Sequence, residues 1–113
     1  MARRPSYAIR FSPRAVHHLR LIDRKYHSLV RRTIHTQLAS TPAVATRNRK
    51  PLGDPAPFAS TWELRFGPGN RFRAFYEISE PTRTVVVLAI GLKERDRLLI
   101  PGEEFEDEDR TSR

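Results

Sequence analysis

The sequence contains no cysteine, a single tryptophan and a single methionine, and no unbroken apolar run longer than the six residues Val85 to Ile90. Each absence removes a class of protein. Without cysteine there is no disulfide framework, no thiolate nucleophile and no cysteine-ligated zinc; the composition suits a reducing cytosol, and we expect a cytoplasmic protein stabilised by packing alone. Six apolar residues are too few to span a bilayer, and no basic amphipathic stretch is long enough to argue for a membrane partner. The basic start, MARRP, is followed by no apolar segment, so a secretory signal is not expected. At 113 residues there is room for one ordinary domain. Hydrophobic residues at 38% are patterned well enough to build a modest core, which excludes a wholly disordered chain.

Positive charge is abundant: 21 Lys and Arg face 13 Asp and Glu, a formal net charge of +8. Its distribution says more than its sum. Residues 102–113 hold six acidic and two basic residues, leaving 19 basic against 7 acidic in the first 101, or +12. We therefore expect one basic domain over 1–101 and an acidic, disordered tail over 102–113. Such a body attracts polyanions, nucleic acid first among them.

Periodicity supplies the elements. Tyr7, Ile9 and Phe11 alternate with Ala8 and Arg10 as in a strand with one buried face. Ser12 and Pro13 are a helix-start signal. Ala15, Leu19 and Ile22 then fall on one helical stripe with Val16 beside them, and Tyr26, Leu29, Val30, Ile34 and Leu38 repeat the spacing. Either two helices in a hairpin or one helix bent at Asp23–Lys25 fits this pattern. Four prolines between Thr41 and Ser60 predict a long loop. Three strand-forming segments follow, Thr61–Phe66, Arg71–Ser79 and Thr84–Leu92, separated by the turns GPGN and EPTR. The continuous apolar run in the last suits a central strand covered on both faces. The expected fold is α+β: an N-terminal strand, a helical hairpin and a three-stranded antiparallel meander, forming one mostly antiparallel sheet packed on the helices.

Strand parity concentrates the charge. Trp62, Leu64 and Phe66 share one face with Phe72, Ala74, Tyr76 and Ile78, which sends Glu63, Arg65, Arg71 and Arg73 to the other. The loop carrying Arg47, Arg49 and Lys50, with Arg10 on the first strand, can border that face, and Lys93, Arg95 and Arg97 follow the last strand. Like charges facing across strands cost stability, so a cluster of arginines there points to an anionic ligand. Glu63 is read either as a cross-strand ion-pair partner or as a proton acceptor. The four histidines show no metal-ligand spacing, no serine sits in a nucleophile elbow, and Gly67 and Gly69 lack the third glycine and following helix of a dinucleotide site. No carboxylate cluster suggests a two-metal nuclease, so phosphodiester chemistry here would be metal-independent and without cofactor.

The residues WELRFGPGNRFRAFYEI and VVVLAIGLKERDRL, in this order after a helical hairpin and the stretch RNRKPL, resemble the RelE/ParE superfamily of bacterial type II toxins over about residues 7–100. The resemblance implies a small sheet packed against a helical hairpin and a co-encoded antitoxin partner with an acidic disordered segment. It also implies one of two activities: ribosome-associated cleavage of mRNA through attack of the ribose 2′-hydroxyl, or inhibition of DNA gyrase without catalysis. An inactive relative retained for antitoxin binding is a third reading. By position in the motif, Arg65, Arg73 and Lys93 match basic catalytic-site residues of the family, with Glu63 a candidate for proton transfer. Arg47, Arg49, Lys50, Arg71 and Arg95 are the candidate phosphate-binding residues. Two positions depart from the RelE pattern: Glu63 stands where RelE has lysine, and Leu99 where RelE-like enzymes commonly place an aromatic that stacks on the RNA base.

Overall fold

Alternation of Ile9 and Phe11 with Ala8 and Arg10 produces the first strand, β1 (Ala8–Phe11), in the computed structural model, which describes residues 6–103. Ser12 Oγ accepts a hydrogen bond from the Ala15 amide at 3.1 Å and Pro13 takes the first helical position, so α1 (Pro13–Leu21) begins with an orphan amide satisfied. Asp23 separates the helices. Its carboxylate accepts the Lys25 amide at 3.0 Å, a 3-10 turn covers Arg24–Tyr26, and α2 (His27–Leu38) follows, which decides for a hairpin over one bent helix.

The sheet contains β1, β2 (Arg49–Pro51), β3 (Trp62–Phe66), β4 (Phe72–Ser79), β5 (Thr84–Glu94) and β6 (Arg97–Leu99), in the order β1-β5-β4-β3-β2 with β6 also on β5. Only the β1–β5 pair is parallel among the described pairings, so the fold is α+β with a mostly antiparallel sheet. Two strands exceed the sequence expectation. The stretch 41–60 is not loop throughout, because Arg49, Lys50 and Pro51 pair with Leu64, Glu63 and Trp62 as an edge strand, where proline is tolerated. The last strand runs past Leu92 to Glu94 and turns back as β6.

One sheet face packs on both helices. Leu19, Val30, Ile34 and Leu38 meet Leu64, Phe72, Tyr76 and Val87 in the main core, and each such burial contributes roughly 1.5–3 kcal/mol. A smaller cluster covers part of the other face: Phe75, Ala89 and Ile100, with Leu52, Phe58 and Leu98 against them. β5 is therefore apolar on both sides, as its sequence suggests.

An irregularity in β5 decides which side each residue serves. Phe75 pairs with Ala89 but Tyr76 pairs with Val87, leaving Leu88 as an extra residue. Val85 and Val87 face the helices before the bulge, and Ile90 and Leu92 face them after it. Ala89, Gly91 and Lys93 consequently turn to the opposite face. The free edge of β5 at this level, between β1 and β6, is satisfied by side chains. Ser12 Oγ donates to Leu88 O at 3.1 Å, and His18 Nδ1 accepts the Ile90 amide at 3.1 Å. Since Nδ1 accepts, the neutral His18 ring carries its proton on Nε2, which donates to Glu103 Oε2 at 2.6 Å.

The Tyr76 hydroxyl, fully buried, donates to Pro42 O at 2.8 Å and ties the chain after α2 to the sheet. Burial raises its pKa well above the ordinary value, with nearby Arg49 opposing. The unfolded chain therefore loses this proton first, and stability falls as pH rises past about 10. We expect Tyr76→Phe to cost about 1 kcal/mol at neutral pH, through the orphaned carbonyl, and to flatten the alkaline loss seen in thermal unfolding as a function of pH. An unchanged alkaline slope would assign that loss to other groups.

Candidate functional site

On the sheet face away from the helices, the register places Lys50 beside Glu63 and Arg65 beside Arg73. Glu63 is the centre of this group. Its Oε2 lies 3.1 Å from Arg73 Nε, and its Oε1 lies 3.7 Å from both Lys50 Nζ and Arg65 Nε. Glu63 and Arg73 are each only 8% exposed. Arg73 also donates through Nη1 to the carbonyls of Asn70 and Phe72. Burial lowers its pKa, Glu63 pulls it back up, and Arg65 adds to the lowering; an arginine nevertheless stays cationic at neutral pH. Three cations around one carboxylate leave a local excess of positive charge.

A second group adjoins it. Arg71, Lys93, Glu94, Arg95, Arg97 and Leu99 line a concavity of about 540 Å³ at the end of β5 and β6. Arg73 pairs with Gly91, two residues before Lys93, so the two groups are neighbours on the sheet. Among the described residues only Arg71 finds a carboxylate there, Glu94 Oε2 at 3.3 Å. Four cations against one carboxylate, mostly solvent-exposed, form a strongly anion-attracting surface. Arg95 sits at φ +57° in the two-residue turn between the paired Glu94 and Arg97. Such a backbone angle suits glycine or asparagine, and arginine adopts it at a cost of order 1 kcal/mol.

Gly91 makes this geometry possible. A Cβ there would come within 2.7 Å of Ile100 Cδ1 and 3.0 Å of Leu99 O, so any side chain would push β6 away from β5.

The expected site residues therefore separate. Glu63, Arg65, Arg73 and Lys50 meet in one ion-pair group, and Arg71, Lys93 and Arg95 in the adjoining concavity. Arg47 is exposed in the turn before β2. Arg49 needs correction: it is buried on the helix side, opposite Leu64, where Nη1 donates to Gln37 O at 2.9 Å and to Thr41 O. It satisfies carbonyls at the C-terminal end of α2, the end that favours a cation, and is turned away from the anion-attracting face. Arg10 lies on β1, with β5 and β4 between it and β3. Three participants escaped the sequence reading. Glu94 shares the concavity through the tight β5–β6 turn. His18 completes the spacing Ala15, His18, Leu19, Ile22, a buried stripe visible in the sequence. Glu103 is reached only by the fold.

A helical hairpin packed on one face of a mostly antiparallel sheet is an arrangement shared with solved toxin structures. The crystal structure of the toxin–antitoxin complex RelBE2 from Mycobacterium tuberculosis contains a chain 25% identical to this one, with a TM-score of 0.64 over 86% of this chain and 100% of that one. The isolated RelE toxin from E. coli shares the fold at 15% identity, with a TM-score of 0.55 over 95% of this chain and 99% of that one. A sequence model of the ParE toxin of the type II toxin-antitoxin system parDE matches residues 9–97, and the chain belongs to this family. It is a toxin of a type II toxin–antitoxin system. No curated protein sequence matches it significantly.

Removing the carboxylate of Glu63 would leave Arg73 buried without its counter-charge. We expect Glu63→Gln to destabilise the fold by about 3 kcal/mol in denaturant unfolding, and the paired change Glu63→Leu with Arg73→Met to recover most of that loss. Loss below about 0.5 kcal/mol for Glu63→Gln would show that the pair is solvated.

Proposed function

We propose that this toxin acts on RNA, binding the phosphodiester backbone across the two cationic groups and cleaving it without a metal ion. The observation that carries the reading is the concavity of Arg71, Lys93, Arg95 and Arg97, four cations gathered about a tight turn, of which one, Arg71, is paired among the described residues. Arg47 and Lys50 extend the cationic path along the β2 edge. In the proposed step the ribose 2′-oxygen attacks the adjacent phosphorus. The bond from phosphorus to the 5′-oxygen breaks, leaving a 2′,3′-cyclic phosphate and a 5′-hydroxyl. Arg71 and Arg95 stabilise the phosphorane charge, while Arg65 and Arg73 supply further positive potential. A carboxylate accepts the 2′-hydroxyl proton, Glu63 being the candidate, and the Lys93 ammonium protonates the departing oxygen. In the neutralised state its partner is an antitoxin whose acidic segment complements the same basic surface.

Two observations favour a second reading, non-catalytic inhibition of DNA gyrase. Both oxygens of Glu63 are engaged by cations, which leaves neither free to face a 2′-hydroxyl. Leu99 also offers the concavity no aromatic surface for a base to stack on.

Purified toxin added to translating ribosomes should produce broken messages, and Arg95→Gly, which relieves the backbone angle, should reduce cleavage about a hundredfold while leaving thermal stability equal or higher. Intact messages together with blocked supercoiling by purified gyrase would establish the second reading.

A further inference from the structure

We propose that the hollow between the end of α1 and the β5–β6 hairpin receives one unpaired base of the RNA and prefers cytosine to uracil. The phosphate of that nucleotide is held next door, in the cationic concavity already read as the RNA site, and on that reading the assignment rests.

The hollow follows from where α1 stops. Beyond the bulge Leu92 and Glu94 share the helix side of the sheet, and Leu99, paired with Leu92, joins them. α1 ends at Leu21 and the chain turns away through Asp23 and Tyr26, so these side chains are only partly covered. A cavity of about 220 Å³ remains, walled by Leu21, Ile22, Leu92, Leu99 and Pro101 with Tyr26 beside them. Leu21 is 52% exposed, one of two large apolar side chains so open among the described residues. Tyr26 is fixed by a T-shaped contact with Phe72, 5.3 Å between centroids, and also borders a second hollow of about 180 Å³ that reaches Arg71.

What adjoins the hollow decides its occupant. Glu94 and Leu99 line both it and the concavity of Arg71, Lys93, Arg95 and Arg97, so the two are continuous. A base lies one sugar away from its phosphate, and a flat ring with a polar edge suits apolar walls with hydrogen-bonding groups at the rim. That rim carries the exposed carboxylates of Asp23 and Glu94. Carboxylates accept from an amine such as cytosine N4 and repel the carbonyl that uracil presents at the same position. Glu94 engages Arg71 through Oε2 at 3.3 Å, leaving Oε1 without a partner among the described residues. An acidic peptide, which suits the concavity, is repelled by the same two carboxylates. The leucine walls thus supply the base-covering surface that the concavity itself lacks.

The test measures the affinity of the full-length protein, Leu21→Ser and Glu94→Gln for oligocytidylate and oligouridylate of equal length, at neutral pH and over a range of salt. Both substituted side chains are more than half exposed, so both variants should keep the parent's thermal stability. The two oligonucleotides offer the same phosphates, yet oligocytidylate should bind about tenfold more tightly. Leu21→Ser should weaken both about fivefold with the salt slope unchanged, and Glu94→Gln should bring the two within about twofold, because an amide also donates to a uracil carbonyl. Equal affinity of the parent for the two, or no effect of Leu21→Ser, overturns the proposal and leaves the hollow to an apolar peptide side chain, while salt-dependent binding of both keeps the RNA reading in place. Absence of salt-dependent binding to either overturns both.

Discussion

The molecule depends on the extra residue in β5. Up to Val87 the strand serves the helix-side core and pairs in parallel with β1; beyond Leu88 its alternation is reset, so Ile90 and Leu92 continue that core while Gly91 and Lys93 face the other way. Without the bulge, Lys93 would turn to the helix side of the sheet. The unpaired edge that results is filled by Ser12 and His18 of the first helix, and His18 in turn holds Glu103. One irregularity thus sets the core, the position of the helix, the path of the chain after β6 and the placement of a cation at the functional end.

The charged groups divide their labour by solvent exposure. Where the sheet is deep, Arg73 and Glu63 are buried against each other and Arg73 is bound to backbone carbonyls, a geometry in which neither can be removed alone without leaving a buried charge. Where β5 and β6 project past the rest of the sheet, charge is left in excess. Buried pairing there would have quenched the field that draws an anion; exposure keeps it available, screened only by salt. Gly91 and the turn at Arg95 are the local devices that hold the projecting hairpin tightly to the sheet.

Much of this was legible in the sequence. Ser12 with Pro13, the stripe of Leu29, Val30, Ile34 and Leu38, and the parity of Trp62–Phe66 against Phe72–Ile78 place the helices, the core and the charged face correctly, because caps and periods are local signals. Arg49 shows where such reasoning stops. In the run RNRK it looks like one more surface cation, yet pairing with Leu64 turns it into the protein, onto the carbonyls ending α2. Nothing in its neighbours encodes that parity, since the strand is three residues long and defined by its partner. Glu94, Glu103 and the bulge at Leu88 are likewise products of pairing across the chain. The +8 of the whole sequence hides both the buried Glu63–Arg73 pair and the exposed cations around Lys93.

The central claim, that the cations at the end of β5 and β6 form the working anion site, is tested most directly by the salt dependence of binding to a single-stranded RNA oligonucleotide. With about four phosphates neutralised, log affinity should fall against log salt with a slope of about −3, and Lys93→Ala with Arg95→Gly should lower its magnitude by about 1.4. An unchanged slope in that double variant would contradict the claim and move the site elsewhere on the basic surface.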